Sequence, residues 1–240
     1  MSEFSSMPNL ERLILKGCVS LIDIHPSVGN MKKLTTLSLR FCDKLKNLPD
    51  SIGDLESLEI LDLSYCSKFE QFPEKGGNMK SLKKLRLRNS AIKDLPDSIG
   101  DLESLELLDL SNCSKFEKFP EKGGNMKSLM ELDLKNTAIK DLPDSIGDLE
   151  SLEILNLSNS KFEKFSEKGR NMKSLMELDS NQLCNLQKLN ISQCKMAGQI
   201  LVLPSSLKVI DARHCTSKED LSGLLWLCHL NWLKSTTEVM

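Results

Sequence analysis

Six of the eight cysteines, Cys18, Cys42, Cys66, Cys113, Cys194 and Cys215, occupy the same place, directly after a short alternating apolar segment. Thiols so regularly spaced could ligate zinc, pair as disulfides or act as nucleophiles. Zinc wants four donors in a tetrahedron, usually from CxxC pairs; none exists here, and one thiol per layer gives poor tetrahedral geometry. A disulfide ladder would need an oxidising compartment. Ser90, Thr137 and Ser160 fill the same place elsewhere. A position that accepts Cys, Ser or Thr asks for a small side chain able to hydrogen-bond the backbone of a turn, so the expected role of these thiols is structural.

Other residues with chemical potential lead no further towards catalysis. His25, His214 and His229 belong to no recognisable Ser, Cys or zinc constellation. His214 lies near Asp211 and Cys215 in sequence, but alternation along a strand sends neighbours to opposite faces. Neither GxGxxG nor GxxxxGK[ST] occurs, which removes the usual cradles for dinucleotides and nucleoside triphosphates. The pairs Gly76 and Gly77, and Gly123 and Gly124, read as turn residues. No catalytic residue, cofactor site or metal site is expected. Asn112, Asn156 and Asn190 open N-x-S sequons, yet they fall in or beside strands, where a glycan would sit on the binding face.

Bulk properties narrow the partners. The chain has 32 basic and 34 acidic side chains and a pI near 6.0, so no overall charge argues for nucleic acid or an anionic membrane. The opening residues, MSEFSSMP, show neither a basic nor an apolar signal region, and no apolar run reaches the roughly 18 to 20 residues that span a bilayer. The expected compartment is the cytoplasm, with the nucleus as a second possibility, and the expected partner is a protein.

The elements that must position these residues come from one pattern, LxxLxLxx, which begins at Leu10, Leu34, Leu58, Leu82, Leu105, Leu129, Leu152, Leu175, Leu186 and Leu207. This spacing, mostly 23 or 24 residues, matches the leucine-rich-repeat period of 20 to 29. Near copies of SIGDLESLEILDLSYCSKFEQFPEKGGNMKSL start at Ser51, Ser98 and Ser145, so the array grew by duplicating pairs of units. Within one unit, Leu61 and Leu63 alternate with Asp62 and Ser64, a strand with one buried face. Phe69, Phe72 and Met79 then supply apolar contacts on the return path, with Pro73 and the glycines turning the chain.

The predicted architecture is an α/β leucine-rich-repeat solenoid: a curved right-handed superhelix with a parallel sheet on its concave face and an irregular, short-helical convex side. The array is placed at residues 1–220, about nine to ten units, one of them truncated near 175–185. There the pattern restarts after eleven residues, which predicts a kink or frayed loop around Ser180 to Asn185. Residues 221–240 read as a C-terminal cap: Leu221, Leu224, Leu225 and Cys228 fall at helical spacing, and Trp226, Leu227, Leu230, Trp232 and Leu233 make the segment apolar almost all round.

Partner-binding candidates follow from the alternation. Side chains between and just after the strand leucines face the concave side: Arg12, Lys16, Arg40, then Lys84, Arg86 and Arg88, then Asp109, Glu131 and Asp133, with Glu177 and Asp179 beyond. The strip is expected to run from basic to acidic and so to orient a partner. Three cations on one short strand repel one another, which makes Lys84, Arg86 and Arg88 the leading cluster.

The chain from Met7 to Glu74, with its LxLxxC strand ends and LPxSIGxLxSLExL return segments, resembles the repeat domain of plant intracellular immune receptors of the TIR-NBS-LRR class. LPSSLKVIDARHCTSKEDLS resembles the junction to the C-terminal jelly-roll-like domain of such receptors. The resemblance implies a non-catalytic module in plant defence and innate immunity, one that takes part in recognising a pathogen effector or guarded host protein and in holding a nucleotide-binding domain inactive. It also implies that NAD cleavage and nucleotide exchange belong to domains this sequence does not contain. The alternative is a cytosolic signalling scaffold like the plant Ras-group repeat proteins, which also carry LPxxIGxLxxL segments.

Overall fold

In the computed structural model, residues 7–165, 183–195 and 204–215 are described. Their organising feature is a nine-stranded, wholly parallel sheet built from β1 (Arg12–Ile14), β2 (Thr36–Ser38), β3 (Ile60–Asp62), β4 (Lys84–Arg86), β5 (Leu107–Asp109), β6 (Glu131–Asp133), β8 (Ile154–Asn156), β10 (Lys188–Asn190) and β11 (Val209–Asp211). Each strand pairs in register with the next. The central residue of every strand therefore falls in one inward column: Leu13, Leu37, Leu61, Leu85, Leu108, Leu132, Leu155, Leu189 and Ile210. Leu37 through Leu132 are fully buried. Each leucine packs mainly on the same residue of the neighbouring layers, so the aliphatic core is continuous along the stack.

The return path is more regular than the sequence suggested. Five-residue 3-10 helices recur at Pro26–Asn30, Asp50–Asp54, Glu74–Asn78, Asp97–Asp101, Glu121–Asn125 and Asp144–Asp148. All but the first follow a proline at the N-cap, and the first follows His25, whose Nδ1 accepts from the Ser27 amide at 3.1 Å. A second parallel ladder joins the return paths: β7 (Asp141–Leu142) pairs with β9 (Lys164–Phe165), and Asn47 with Gln71 and Asp94 with Lys118 form single bridges. Lys32, Lys80 and Lys127 each donate from Nζ at 2.8 Å to a carbonyl at the end of the following unit's 3-10 helix.

The paired glycines are not turn residues. Gly76, Gly77, Gly123 and Gly124 lie buried inside 3-10 helices. A Cβ on Gly76 would stand 2.3 Å from the Phe72 ring, and one on Gly77 would stand 2.0 Å from the Ser98 carbonyl oxygen of the next unit. At Gly77 and Gly124 the next unit's backbone approaches too closely for any side chain, whereas at Gly76 and Gly123 the crowding is with a phenylalanine ring of the same unit.

Across the position of the expected truncated unit, β8 hydrogen-bonds directly to β10. Glu177 and Asp179 lie outside the described residues, as do residues 180–182 of the expected kink and the cap at 221–240. At the described end of that segment Leu183 is buried, and the Asn185 side-chain amide donates to the Glu150 carbonyl at 2.9 Å.

Candidate interaction surface

The register that buries the leucines also arranges the residues beside them into outward columns. One runs Arg12, Thr36, Ile60, Lys84, Leu107, Glu131, Ile154, Lys188, Val209; the other runs Ile14, Ser38, Asp62, Arg86, Asp109, Asp133, Asn156, Asn190, Asp211. A third, just past the strands, holds Lys16, Arg40, Ser64, Arg88, Ser111 and Lys135. Arg12, Lys16 and Arg88 are exposed, while Arg40, Lys84, Arg86, Asp109, Glu131 and Asp133 are half-buried. The first column mixes apolar residues with charged ones, so the face is less polar than alternation alone implied.

Several of the charges have internal duties. The Asp109 carboxylate Oδ1 accepts from the Ser111 amide at 2.9 Å and its hydroxyl at 2.5 Å, and Asp133 Oδ1 accepts from the Lys135 amide at 2.9 Å. Asp62, Asn156, Asn190 and Asp211 accept from the backbone amide two residues on in the same way. This column is a series of Asx turns that end the strands. Burial raises the pKa of Asp133, and the neighbouring carboxylates Asp109 and Glu131 add to that rise against the Lys135 amide and the Asn156 side chain. At β11 the sign reverses: the Arg213 side chain, 2.7 Å from Asp211, holds that carboxyl low.

Arg86 belongs to the same column and stands between Asp62 and Asp109. Repulsion within the Lys84, Arg86 and Arg88 cluster is thus partly offset by the sheet itself, which weakens self-repulsion as the reason for a partner there. Arg40 approaches Asp62 at 3.8 Å.

The thiol position is structural, with an unexpected bond. Cys42, Cys66, Cys113, Cys194 and Cys215 donate through Sγ to a carbonyl of the preceding unit, that of Leu15, Leu39, Leu87, Leu157 and Ile191, at 2.9 to 3.3 Å. Thr137 and Ser160 instead donate to carbonyls of their own turn. Burial pushes Cys66 up to about 12 and Cys113 up to about 11, so both are neutral thiols at any ordinary pH. Among the described residues, no group of three or more His, Cys, Asp or Glu side chains is placed to hold a metal ion, and no helix is long and apolar enough to cross a membrane.

Sequence reasoning passed over Phe41 and Tyr65. Both sit at the residue where each turn adopts a left-handed backbone, φ +60° and +64°. Other units place Gly17, Asn89, Asn112, Asn136 and Asn159 there. Asparagine tolerates this conformation; for a bulky side chain it costs roughly 1–2 kcal/mol. The two rings stack with centroids 4.6 Å apart and planes 17° from parallel. Arg40 lies 5.5 Å from the Phe41 centroid and 5.9 Å from that of Tyr65, with Lys16 and Arg88 at 5.8 and 5.9 Å. Aligning the units position by position would have exposed these aromatics in a column otherwise of Gly and Asn, with Gln193 and His214 in the last two described units.

A one-dimensional stack of parallel strands with a long laterally open sheet defines a class, the repeat solenoids, whose extended surfaces serve as binding scaffolds. The family model described as "Leucine-rich repeat region" matches residues 1–110 and 74–237, and the chain belongs to that family. Over 33 residues, 14% of its length, it is 94% identical to the disease resistance protein RUN1 of Vitis rotundifolia, and over 37 residues, 15% of its length, 88% identical to the disease resistance protein RPV1 of the same plant. These stretches span 2% and 3% of the two relatives. The fold is similar to the leucine-rich repeat domain of the type III effector XopL, with TM-score 0.69 and 24% identity over 88% of this chain and 71% of that one. It is also similar to a leucine-rich repeat protein of Leptospira interrogans, with TM-score 0.56 and 25% identity over 86% and 56%. The peptide hormone receptor RGFR1, solved in complex with RGF2, shares the fold at TM-score 0.57 and 20% identity, covering 89% of this chain and 37% of the receptor.

Proposed function

We propose that this chain is the non-catalytic, partner-binding repeat module of a plant disease-resistance protein, contributing to effector recognition and to restraint of a nucleotide-binding domain, in the cytoplasm and the nucleus. The observation that carries the reading is the pair of near-identical stretches shared with RUN1 and RPV1, set in a chain whose outward columns form one continuous surface. The partner is a protein, engaged along the face that runs from Arg12 to Asp133. RGFR1 and PEPR1, which share the fold, were solved with RGF2 and AtPEP1.

Proximity labelling in plant tissue tests the proposal, with the triple variant Lys84→Ser, Arg86→Ser, Arg88→Ser as control. The expected result is recovery of an immune receptor or effector target that the variant labels about tenfold less, at unchanged thermal stability. Equal labelling by the variant removes this cluster from the site. Recovery of small GTPases in place of immune proteins favours the signalling-scaffold alternative.

A further inference from the structure

The left-handed column reads Gly17, Phe41, Tyr65, Asn89 from the first unit onward. The Phe41 and Tyr65 rings lie 4.6 Å apart, close to the spacing of roughly 4.8 Å between neighbouring strands, so the solenoid itself sets the stacking period. One step further back, Gly17 supplies no side chain, and among the described residues, its chain neighbours aside, no heavy atom lies within 4 Å of the place its Cβ would take. A notch therefore adjoins Phe41, whose residue is 37% exposed. The ammonium of Lys16 and the guanidinium of Arg40 flank that ring, and Ile14, half exposed, lies close by in sequence at the end of β1.

We infer that the Gly17 notch receives an aromatic side chain from an acidic protein segment, which stacks on Phe41 while its carboxylates pair with Lys16, Arg40 and Arg88. A planar group seated there continues the ring stack by one repeat, and aromatic faces bordered by cations favour a π-system accompanied by negative charge. A nucleobase could also stack. The same face, however, carries Asp62, Asp109, Glu131 and Asp133, which would repel a continuous polyphosphate, whereas a polypeptide can confine its carboxylates to a few residues. The unfavourable backbone at Phe41 and Tyr65 gives these aromatics a local cost that asparagine at the same place avoids.

The inference rests on the partner-binding reading above and is judged separately from it. The probe is the dye-labelled, capped peptide Asp-Glu-Trp-Glu-Asp, titrated against the purified full chain by fluorescence anisotropy. Its comparisons are the same peptide with alanine for tryptophan, a Lys-Arg-Trp-Arg-Lys peptide, and oligouridine of equal length. Phe41→Asn removes the platform and Gly17→Asn fills the notch. Both place asparagine where the later units already carry it, so thermal midpoints should hold or rise. The expected result is about tenfold weaker binding for either variant and for the alanine peptide, with weakening in salt and no binding of the cationic peptide. Absence of binding by the unaltered chain, equal binding by Phe41→Asn, or tighter binding of oligouridine each overturns the inference. If tissue labelling still depends on Lys84, Arg86 and Arg88 when the peptide fails, the broader reading stands and the notch alone falls.

Discussion

Small side chains at the strand ends do different work in different units. The cysteines at this position from Cys42 onward reach back to the previous layer's carbonyl, while Thr137 and Ser160 satisfy their own turns, because Sγ sits farther from Cβ than a hydroxyl oxygen does. Cys66 and Cys113 thereby become buried donors whose ionisation the fold opposes. In the unfolded chain these thiols lose their protons near 9.0, and in the folded chain only near 12 and 11. Their contribution to stability is complete below pH 9 and is lost as pH climbs towards the folded values. Urea midpoints should fall across that window in the wild type, and less steeply in the Cys66→Ser, Cys113→Ser variant. Parallel curves would contradict this account.

At the scale of elements, spacing between 3-10 helices is set by contacts that leave no room for a methyl group. The Ser98 carbonyl would stand 2.0 Å from a Cβ on Gly77, and the neighbouring layers are held there by the core leucines above and by Lys80, which donates to the Asp101 carbonyl. Gly77→Ala should therefore cost about 3 kcal/mol in urea denaturation, the upper range for overpacking. Gly17→Ala meets no atoms, and its cost should be only the left-handed backbone's, about 1 kcal/mol. A reversed order of the two variants would show that the helices can move apart.

For the whole molecule, the stack makes stability a matter of neighbours. A central unit is covered on both sides, whereas among the described residues β1 and β11 each have one paired neighbour. Amides that bridge central layers, such as Leu87 to Asp109 and Leu110 to Asp133, should exchange about tenfold or more slowly than Leu15, which donates to Ser38 at the first step. Uniform protection along the ladder would mean that the array opens as one unit. Ile14, Val19 and Ile22 are the exposed large apolar residues of the first described layer.

Period and polarity were legible in the residues themselves. LxxLxLxx repeats decided the strands, their parallel order and the inward column from Leu13 to Ile210, since a leucine every two residues can be buried only on one face of a strand, and a fixed period stacks those faces. The concave candidates from Arg12 to Asp133 could be named for the same reason. What each charge does there needed the third dimension. Asp109 and Asp133 turned out to close turns, Arg86 to lie between carboxylates, and Gly77 to allow a close approach, because all of these depend on the distance between residues one unit apart. The direct pairing of β8 with β10 and the stacking of Phe41 on Tyr65 belong with them: both arise where one coil meets the next, and periodicity along the chain states that the coils meet without stating which atoms face each other.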